Sequence, residues 1–443
     1  MPQARQSAAA EDWSWRSNAY AWWIVIVLAL SLTLSLVDRM ILALMIEPIK
    51  RDLGLSDTAV SLVHGLAFTI LYVIVGLPMG RIADIWNRRA LAACSVLGWS
   101  IMTGLCGFAG NFTQLFAARM GVGVGEAGLS PAAVSLVSDY FPKEERAKPL
   151  AFLTIGTTAG AGLALMFGGA LIRAIGDAGK VALPLLGTVY SWQAIFISLG
   201  VFGVLFSGIF ATLKEPARRG ELDANPPRIS AVLIHIRRNA GFFLNQFLGP
   251  AFAVLVLIAF HSWAPTFLIR RFGWNASQAG LIYGLVLAGA GLVGILLSGV
   301  AADWLSRKGR RDATLVISAI AATAAIAPLA LSPLAPTPFI ALCGLFIGIM
   351  FLTVVSALAP ATLQSACPNQ MRGQVFAIYL FILSLLGYAV GPIIVAVATD
   401  SIFRNEANLH YSLALTAAVF TPLSALCMYL SRLYYVRSSE ATH

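Results

Sequence analysis

The chain has 443 residues, of which 58% are apolar and 11% charged, against the ~25% charged usage of soluble proteins. Its mean hydropathy is +0.81. So few charges cannot cover a water-exposed surface, and so apolar a chain is not disordered. The +10 net charge comes from 30 Lys and Arg scattered among loops, which argues against nucleic-acid binding. What remains is a polytopic membrane protein.

The first twenty residues are polar and lack the basic-then-apolar form of a cleaved signal, and the long apolar run after them suits an uncleaved span. Stretches near the ~20 residues needed to cross a bilayer follow at 22–46, 59–80, 91–110, 113–137, 150–172, 191–213, 247–269, 278–300, 313–333, 337–360, 374–398 and 411–432. Backbone groups in lipid have no water to bond, so these segments must be helices or a closed barrel. Continuous apolarity, without alternation at every second residue, selects helices. The expectation is an all-α membrane protein of twelve helices.

With the N-terminus placed in the cytoplasm, 21 of the 30 basic residues fall on that side, 7 on the other and two inside spans. This bias predicts that both termini are cytoplasmic. An Ala-rich chain with 24 Arg to 6 Lys points to a bacterial inner membrane. The longest connection, Lys214 to Gln246, divides the chain into a six-helix half (1–213), a cytoplasmic linker (214–246) and a second half (247–443). Within the linker, Asn225-Pro226-Pro227 breaks the chain. Ile229, Leu233 and Ile236 then recur at helical spacing beside Arg228, Arg237 and Arg238, as in a short amphipathic helix lying on the inner membrane surface.

The halves echo each other. Gly80-x-x-x-Asp84-x-x-x-Arg88-Arg89 closes the second span and Gly299-x-x-x-Asp303-x-x-x-Arg307-Lys308 the eighth, every matched position 219 residues apart. Pro142-x-x-x-Arg146 after span four repeats as Pro368-x-x-x-Arg372 after span ten. Such duplication is the plan of many secondary transporters.

The first motif and Arg119-x-x-x-Gly123-x-Gly125 in the fourth span resemble signatures of the major facilitator superfamily. The family's usual basic residue and Gly are replaced by Ile85 and Asn87. Asp38-Arg39 in the first span, Arg119 through Glu126, and Tyr140 through Arg146 resemble the spinster group of that superfamily. The resemblance implies two pseudo-symmetric six-helix bundles around a central cavity lined by helices 1, 4, 7 and 10. It also implies proton-linked export of a sphingolipid- or lysophospholipid-like substrate.

Only four charged side chains lie well inside the predicted spans: Asp38, Arg39, Arg119 and Glu126. Each costs ~2.5–3.5 kcal/mol at the bilayer centre, so they must pair or face water. Helix geometry puts them at similar depth on helices 1 and 4, with Arg119 and Glu126 on one face roughly 10 Å apart. Asp38 and Glu126 are the expected proton carriers, with Arg39 and Arg119 as their partners or as anchors for an anionic substrate. Burial favours a neutral carboxyl and a neighbouring Arg favours the anion, so altered access shifts the balance. Glu47, at the end of helix 1, is excluded because headgroups can solvate it.

Apart from Arg432, the final residue of the last one, the last six predicted spans contain no charged residue, giving one charged wall and one apolar wall, suited to an amphiphile. Phe260, His261 and Trp263 on helix 7 are expected lining, although His261 alone also reads as a packing histidine. Asp84 is expected to dock on the N-terminus of helix 11 when the cytoplasmic gate closes. Arg88, Arg89 and Arg146 would tie neighbouring helix ends, and Asp303, with Arg307 and Lys308, would form the counterpart gate against helix 5.

No cofactor is expected. Gly123-Val-Gly125-Glu-Ala-Gly128 matches a nucleotide-binding pattern but lies within an apolar helix. His64 and His261, isolated in sequence, offer no metal or catalytic cluster, so an enzyme is not expected. The five cysteines lack metal-ligand spacing. The reading is a monomeric carrier whose partners are protons, membrane lipids and a small-molecule or lipid substrate. A carrier of hexuronates or other organic anions, or of multiple drugs, is the alternative.

Overall fold

The computed structural model describes residues 19–142, 144–176, 179–183, 187–218 and 229–440. Eleven helices within these residues are long and apolar enough to cross a membrane, and Ala147–Ile175 supplies the remaining span. In chain order, span 1 is Ala19–Leu44, span 2 Asp57–Ile85, span 3 Arg88–Cys106 and span 4 Phe112–Tyr140. Span 5 is Ala147–Ile175 and span 6 Ser191–Thr212. Spans 7 to 12 are Ala240–Phe272, Ala276–Arg307, Ala313–Leu334, Pro338–Ala366, Arg372–Phe403 and Glu406–Arg437. An even number of crossings puts both ends of the described chain on one face, called here the terminal face; the opposite side is the far face.

The helices overrun the apolar stretches that announce them, because polar end turns stay helical beyond the hydrocarbon. Span 7 begins at Ala240 instead of 247, where Phe242 and Phe243 already pack into a cluster with Val375 and Tyr379 of span 11. The longer spans carry charges near their ends, among them Arg270, Asp303, Asp400 and Arg432.

Two features escape periodicity altogether. The short helix Ile46–Leu53 joins spans 1 and 2 and is ended by Gly54, whose φ of 65° suits glycine. Lys180–Leu183 and Gly187–Tyr190 pair as antiparallel strands between spans 5 and 6.

The linker begins as a strap on the first half: Glu215 accepts from Arg88 Nε and from the Arg89 amide, each at 2.8 Å. Arg218 donates to the Ala83 and Trp86 carbonyls that end span 2. Arg219, the Asn225-Pro226-Pro227 break and Arg228 lie outside the described residues. The helix Ile229–Arg238 departs from a purely surface-lying element: Val232 is fully buried and Ile236 packs beside it against the second half. Ile229 and Leu233 remain exposed.

The halves meet along two seams. Spans 5 and 8 approach through glycines, as small residues permit in lipid; a Cβ on Gly280 would lie 3.0 Å from the Gly169 Cα and one on Gly284 2.6 Å from the Gly162 carbonyl oxygen. Spans 2 and 11 meet where each has a π-helical turn, Leu62–Ala67 and Ser384–Val390. The latter directly precedes Gly391-Pro392, whose ring removes a helix hydrogen bond.

Candidate functional site: a charged cavity between the halves

Span 1 carries Ser35 and Arg39 four residues apart, hence on one face, and span 4 presents Glu126 to both. Arg39 donates through Nε at 2.9 Å and Nη2 at 2.5 Å to Glu126 Oε2, which also accepts from Ser35 Oγ at 2.6 Å. The Arg39 guanidinium lies over the ring of Phe68 at 4.1 Å and of Tyr72 at 5.1 Å. Two aromatic faces and one carboxylate thus hold the cation within the membrane-spanning region.

Asp38 and Arg119 sit behind this pair. They are 2% and 1% exposed, and Arg119 Nη1 donates to the backbone carbonyl of Asp38, not to its carboxylate, at 3.2 Å. Asp38 Oδ1 has no hydrogen-bond partner among the described residues, with Thr103, Trp99, Arg119 and Glu126 around it. The close approach of span 2 to span 4 that assembles this region requires Gly123: a Cβ there would collide with the Phe68 carbonyl oxygen.

A cavity of about 760 Å³ lies between the halves, and Arg39 and Glu126 line it whereas Asp38 and Arg119 do not. The four residues therefore divide into a cavity-facing pair and a sealed pair. Opposite them, Val254, Leu257, Ile258, Leu287, Ile295 and Ile349 make an apolar wall. His261 is on the wall, but Phe260 and Trp263 are not. Both are 1% exposed, and Trp263 turns its Nε1 to the Pro392 carbonyl oxygen of span 11 at 3.0 Å. The expectation that they line the cavity is corrected by this packing. At about 3.6 residues per turn, Phe260, His261 and Trp263 cannot all face one way.

The two histidines that look isolated in sequence come together here. His64 of span 2 and His261 of span 7 both line the cavity, and His64 Nε2 is 3.1 Å from Ser262 Oγ. Tyr72, Thr69 and Tyr388 add further polar lining. Sequence reading misses Tyr72, Thr69 and Tyr388 because neutral polar side chains cost little in a span and leave no charge signal.

The far face is held shut by a network the sequence does not reveal. Arg270 of span 7 forms a fork on Asp57, Nη1 to Oδ2 at 2.7 Å and Nη2 to Oδ1 at 2.8 Å, and reaches Glu47 at 2.6 Å. Lys50 pairs with Asp57 and with Glu406. Ser61 Oγ donates to the Pro392 carbonyl oxygen at 3.1 Å. Glu47, set aside as headgroup-solvated, is thus a partner of Arg270.

On the terminal face the corresponding groups stand apart. Asp84, Asp303, Arg307 and Lys308 are exposed, Lys308 lying 3.6 Å over the Trp304 ring. Asp84 and Asp303 have no hydrogen bond or ion pair among the described residues. A Cβ added to Gly80 or Gly299 would meet nothing within 4 Å, and Gly299 with Pro360 lines the cavity, which therefore reaches this face.

Arg88 and Arg89, expected to tie neighbouring helix ends at the gate, make their bonds within the first half. Arg88 is 1% exposed and bonds Asp139 at the end of span 4, Glu215, and the Pro216 carbonyl oxygen at 2.8 Å. Arg89 Nη1 donates to Leu213 O at 2.9 Å. Arg146 closes its own loop, Nε to the Phe141 carbonyl oxygen at 2.9 Å, and its repeat Arg372 does the same to Cys367 at 3.2 Å. The second sequence echo is therefore a repeated loop-closing bond.

Comparison with known proteins agrees with this architecture. The family model described as Major Facilitator Superfamily matches residues 28–392. An MFS-type efflux pump of Mycolicibacterium smegmatis is 30% identical over 430 residues, 94% of either chain. Protein spinster homolog 1 of Xenopus tropicalis is 27% identical over 430 residues, covering 89% of this chain and 78% of its own. Among solved structures, a bacterial homolog of the human lysosomal transporter Spinster, in an inward-facing and unoccupied conformation, superposes with a TM-score of 0.76 at 23% identity, covering 94% and 97% of the two chains. A transporter fold, a spinster-like pattern of intramembrane charge and a match over most of the chain converge: this protein belongs to the Major Facilitator Superfamily.

Proposed function

We propose that the protein is a proton-coupled carrier of an anionic amphiphile, working by alternating access, with its terminal face in the cytoplasm of a bacterial inner membrane. The Arg39–Glu126 pair on one wall of a cavity whose other wall is apolar carries this reading. A proton arriving on Glu126 removes the anion that engages Arg39 and frees the guanidinium for a substrate phosphate or carboxylate. Loss of that proton re-forms the pair and expels the substrate group. Asp38, enclosed with Arg119 behind the cavity, is the second carboxylate of the relay. The apolar wall accommodates a hydrocarbon tail that would gain ~0.8 kcal/mol per buried methylene, and the kinship with Spinster homologs supports a lysolipid- or sphingolipid-like cargo. The protein works as a monomer, since both halves of the cavity come from one chain.

The exposed Asp84 and the bonded far face correspond to a cytoplasm-open state. In the alternate state, Asp84 docks on the start of span 11 and Asp303 takes the matching place beside span 5. Reconstituted Glu126→Gln protein tests the coupling: substrate counterflow should persist while accumulation driven by a proton gradient is lost. Undiminished proton-driven accumulation would overturn it.

A further inference from the structure

His64 lies in the π-helical turn of span 2, a distortion frequent at functional sites. The turn fits against span 11 so closely that a Cβ on Gly65 would come within 2.8 Å of the Ala389 carbonyl oxygen. This packing sets the His64 ring against span 7, with Nε2 3.1 Å from Ser262 Oγ. The Ser262 hydroxyl has a single proton, which it donates to the Ile258 carbonyl oxygen at 2.8 Å. Both bonds coexist only when His64 Nε2–H is the donor to Ser262 Oγ. Nδ1 is then an acceptor, and it is buried with no hydrogen-bond partner among the described residues.

From the other half, His261 precedes Ser262 in the chain and lies within electrostatic reach of His64. Its Nε2 is likewise buried without a partner among the described residues. Buried polar atoms are ordinarily hydrogen-bonded, and here two belong to residues that line one cavity, one from each half.

We infer that His64 and His261 form a second subsite that takes a substrate hydroxyl, whose proton goes to His64 Nδ1 and whose oxygen accepts from His261 Nε2–H. His64 is one helical turn from Phe68, roughly 5–6 Å, and Phe68 bears the Arg39 guanidinium on its ring. The hydroxyl subsite and the anion subsite are therefore about one turn apart. The substrate class is an anion with a hydroxyl a few bonds away, a chemistry shared by lysophosphatidate and by sugar acids. The inference rests on the carrier reading above, in which Arg39 receives the anion.

Calorimetric titration of the purified full-length protein tests it with two probe pairs: 1-oleoyl lysophosphatidate against its 2-deoxy analogue, and D-gluconate against its 2-deoxy analogue. The wild type should prefer the hydroxylated member of one pair by about thirtyfold, the loss expected for two hydrogen bonds; the pair that binds identifies the source. His64→Gln keeps an Nε2 donor for Ser262 but removes the Nδ1 acceptor. It should cut the preference to a few-fold, because only the bond from His261 is left, and His261→Phe should do the same by removing that bond. Binding of neither pair, equal binding of both members, or a preference undiminished in His64→Gln overturns the subsite. Those outcomes leave the coupling reading standing, whereas proton-driven accumulation by Glu126→Gln defeats that reading whatever the histidine variants do.

Discussion

Asp400, near the end of span 11, accepts two hydrogen bonds from Thr58 in the first turn of span 2: the backbone amide at 2.8 Å and the hydroxyl at 2.7 Å. A carboxylate of one half thus caps the positive end of a helix of the other. The expected docking of Asp84, at the end of span 2, on the start of span 11 is its mirror image. The two antiparallel helices each end in an acid suited to the other's N-terminus, and in this conformation only the Asp400 contact is made.

Asp400→Ala should therefore favour opening of the far face. A partly buried cap of this kind contributes about 1 kcal/mol, so the far-open population should rise about fivefold. Labelling of Ser61→Cys, buried at the far end of span 2 in this conformation, by an impermeant maleimide, with Cys94 and Cys343 replaced, reads this as a faster rate; an unchanged rate would count against the latch.

The contrast between Asp84 and Asp400 shows what the sequence could reveal. Asp84 is legible because its motif recurs 219 residues later, and a repeat is visible in one chain. Asp400 and Arg270 follow no repeated pattern, and their significance depends on which helix ends face each other across the halves. The intramembrane charges are legible for a different reason: in an apolar span, Asp38, Arg39, Arg119 and Glu126 each carry a cost that demands an explanation. Their pairing is not legible. Arg119 meets a carbonyl instead of the Asp38 carboxylate, a distinction of side-chain direction that helical spacing cannot resolve. His64 and His261, 197 positions apart, are united only by the packing of spans 2 and 7.

Arg270 should matter more than Asp400, because Asp57 is fully buried and receives both arms of the guanidinium. Arg270→Lys keeps the charge but not the fork. It should open the far face about tenfold in the same labelling assay, with Arg270→Ala larger still. If Lys matches wild type, a point charge suffices and the bidentate geometry is incidental.

Arg88 yields the opposite kind of prediction. Its partners Asp139 and Glu215 belong to span 4 and to the strap after span 6, so its loss strands acids within one half. Arg88→Ala should cost about 3–5 kcal/mol, as for breaking a buried pair, seen as a lower thermal midpoint and poor yield. Transport per folded molecule should stay near wild type at low temperature; a stable but inactive variant would restore Arg88 to the gate.

Arg39 offers the sharpest test of how the cavity recognises its cargo. Its guanidinium stacks on Phe68 while two of its nitrogens share one Glu126 oxygen, so shape and charge act together. Lys retains the charge, and hence the balance with Glu126 that lets the span fold, but has no plane to lay on an aromatic ring and no fork for a phosphate or carboxylate. Arg39→Lys should keep the thermal midpoint within a few degrees yet weaken binding of an anionic substrate about tenfold, the result of losing ~1.4 kcal/mol. Phe68→Leu should fall between the two, because the cation then keeps its charge partner but loses the ring beneath it. Equal affinity of Arg39→Lys and wild type would mean that charge alone holds the substrate, and the aromatic platform would have no part in recognition.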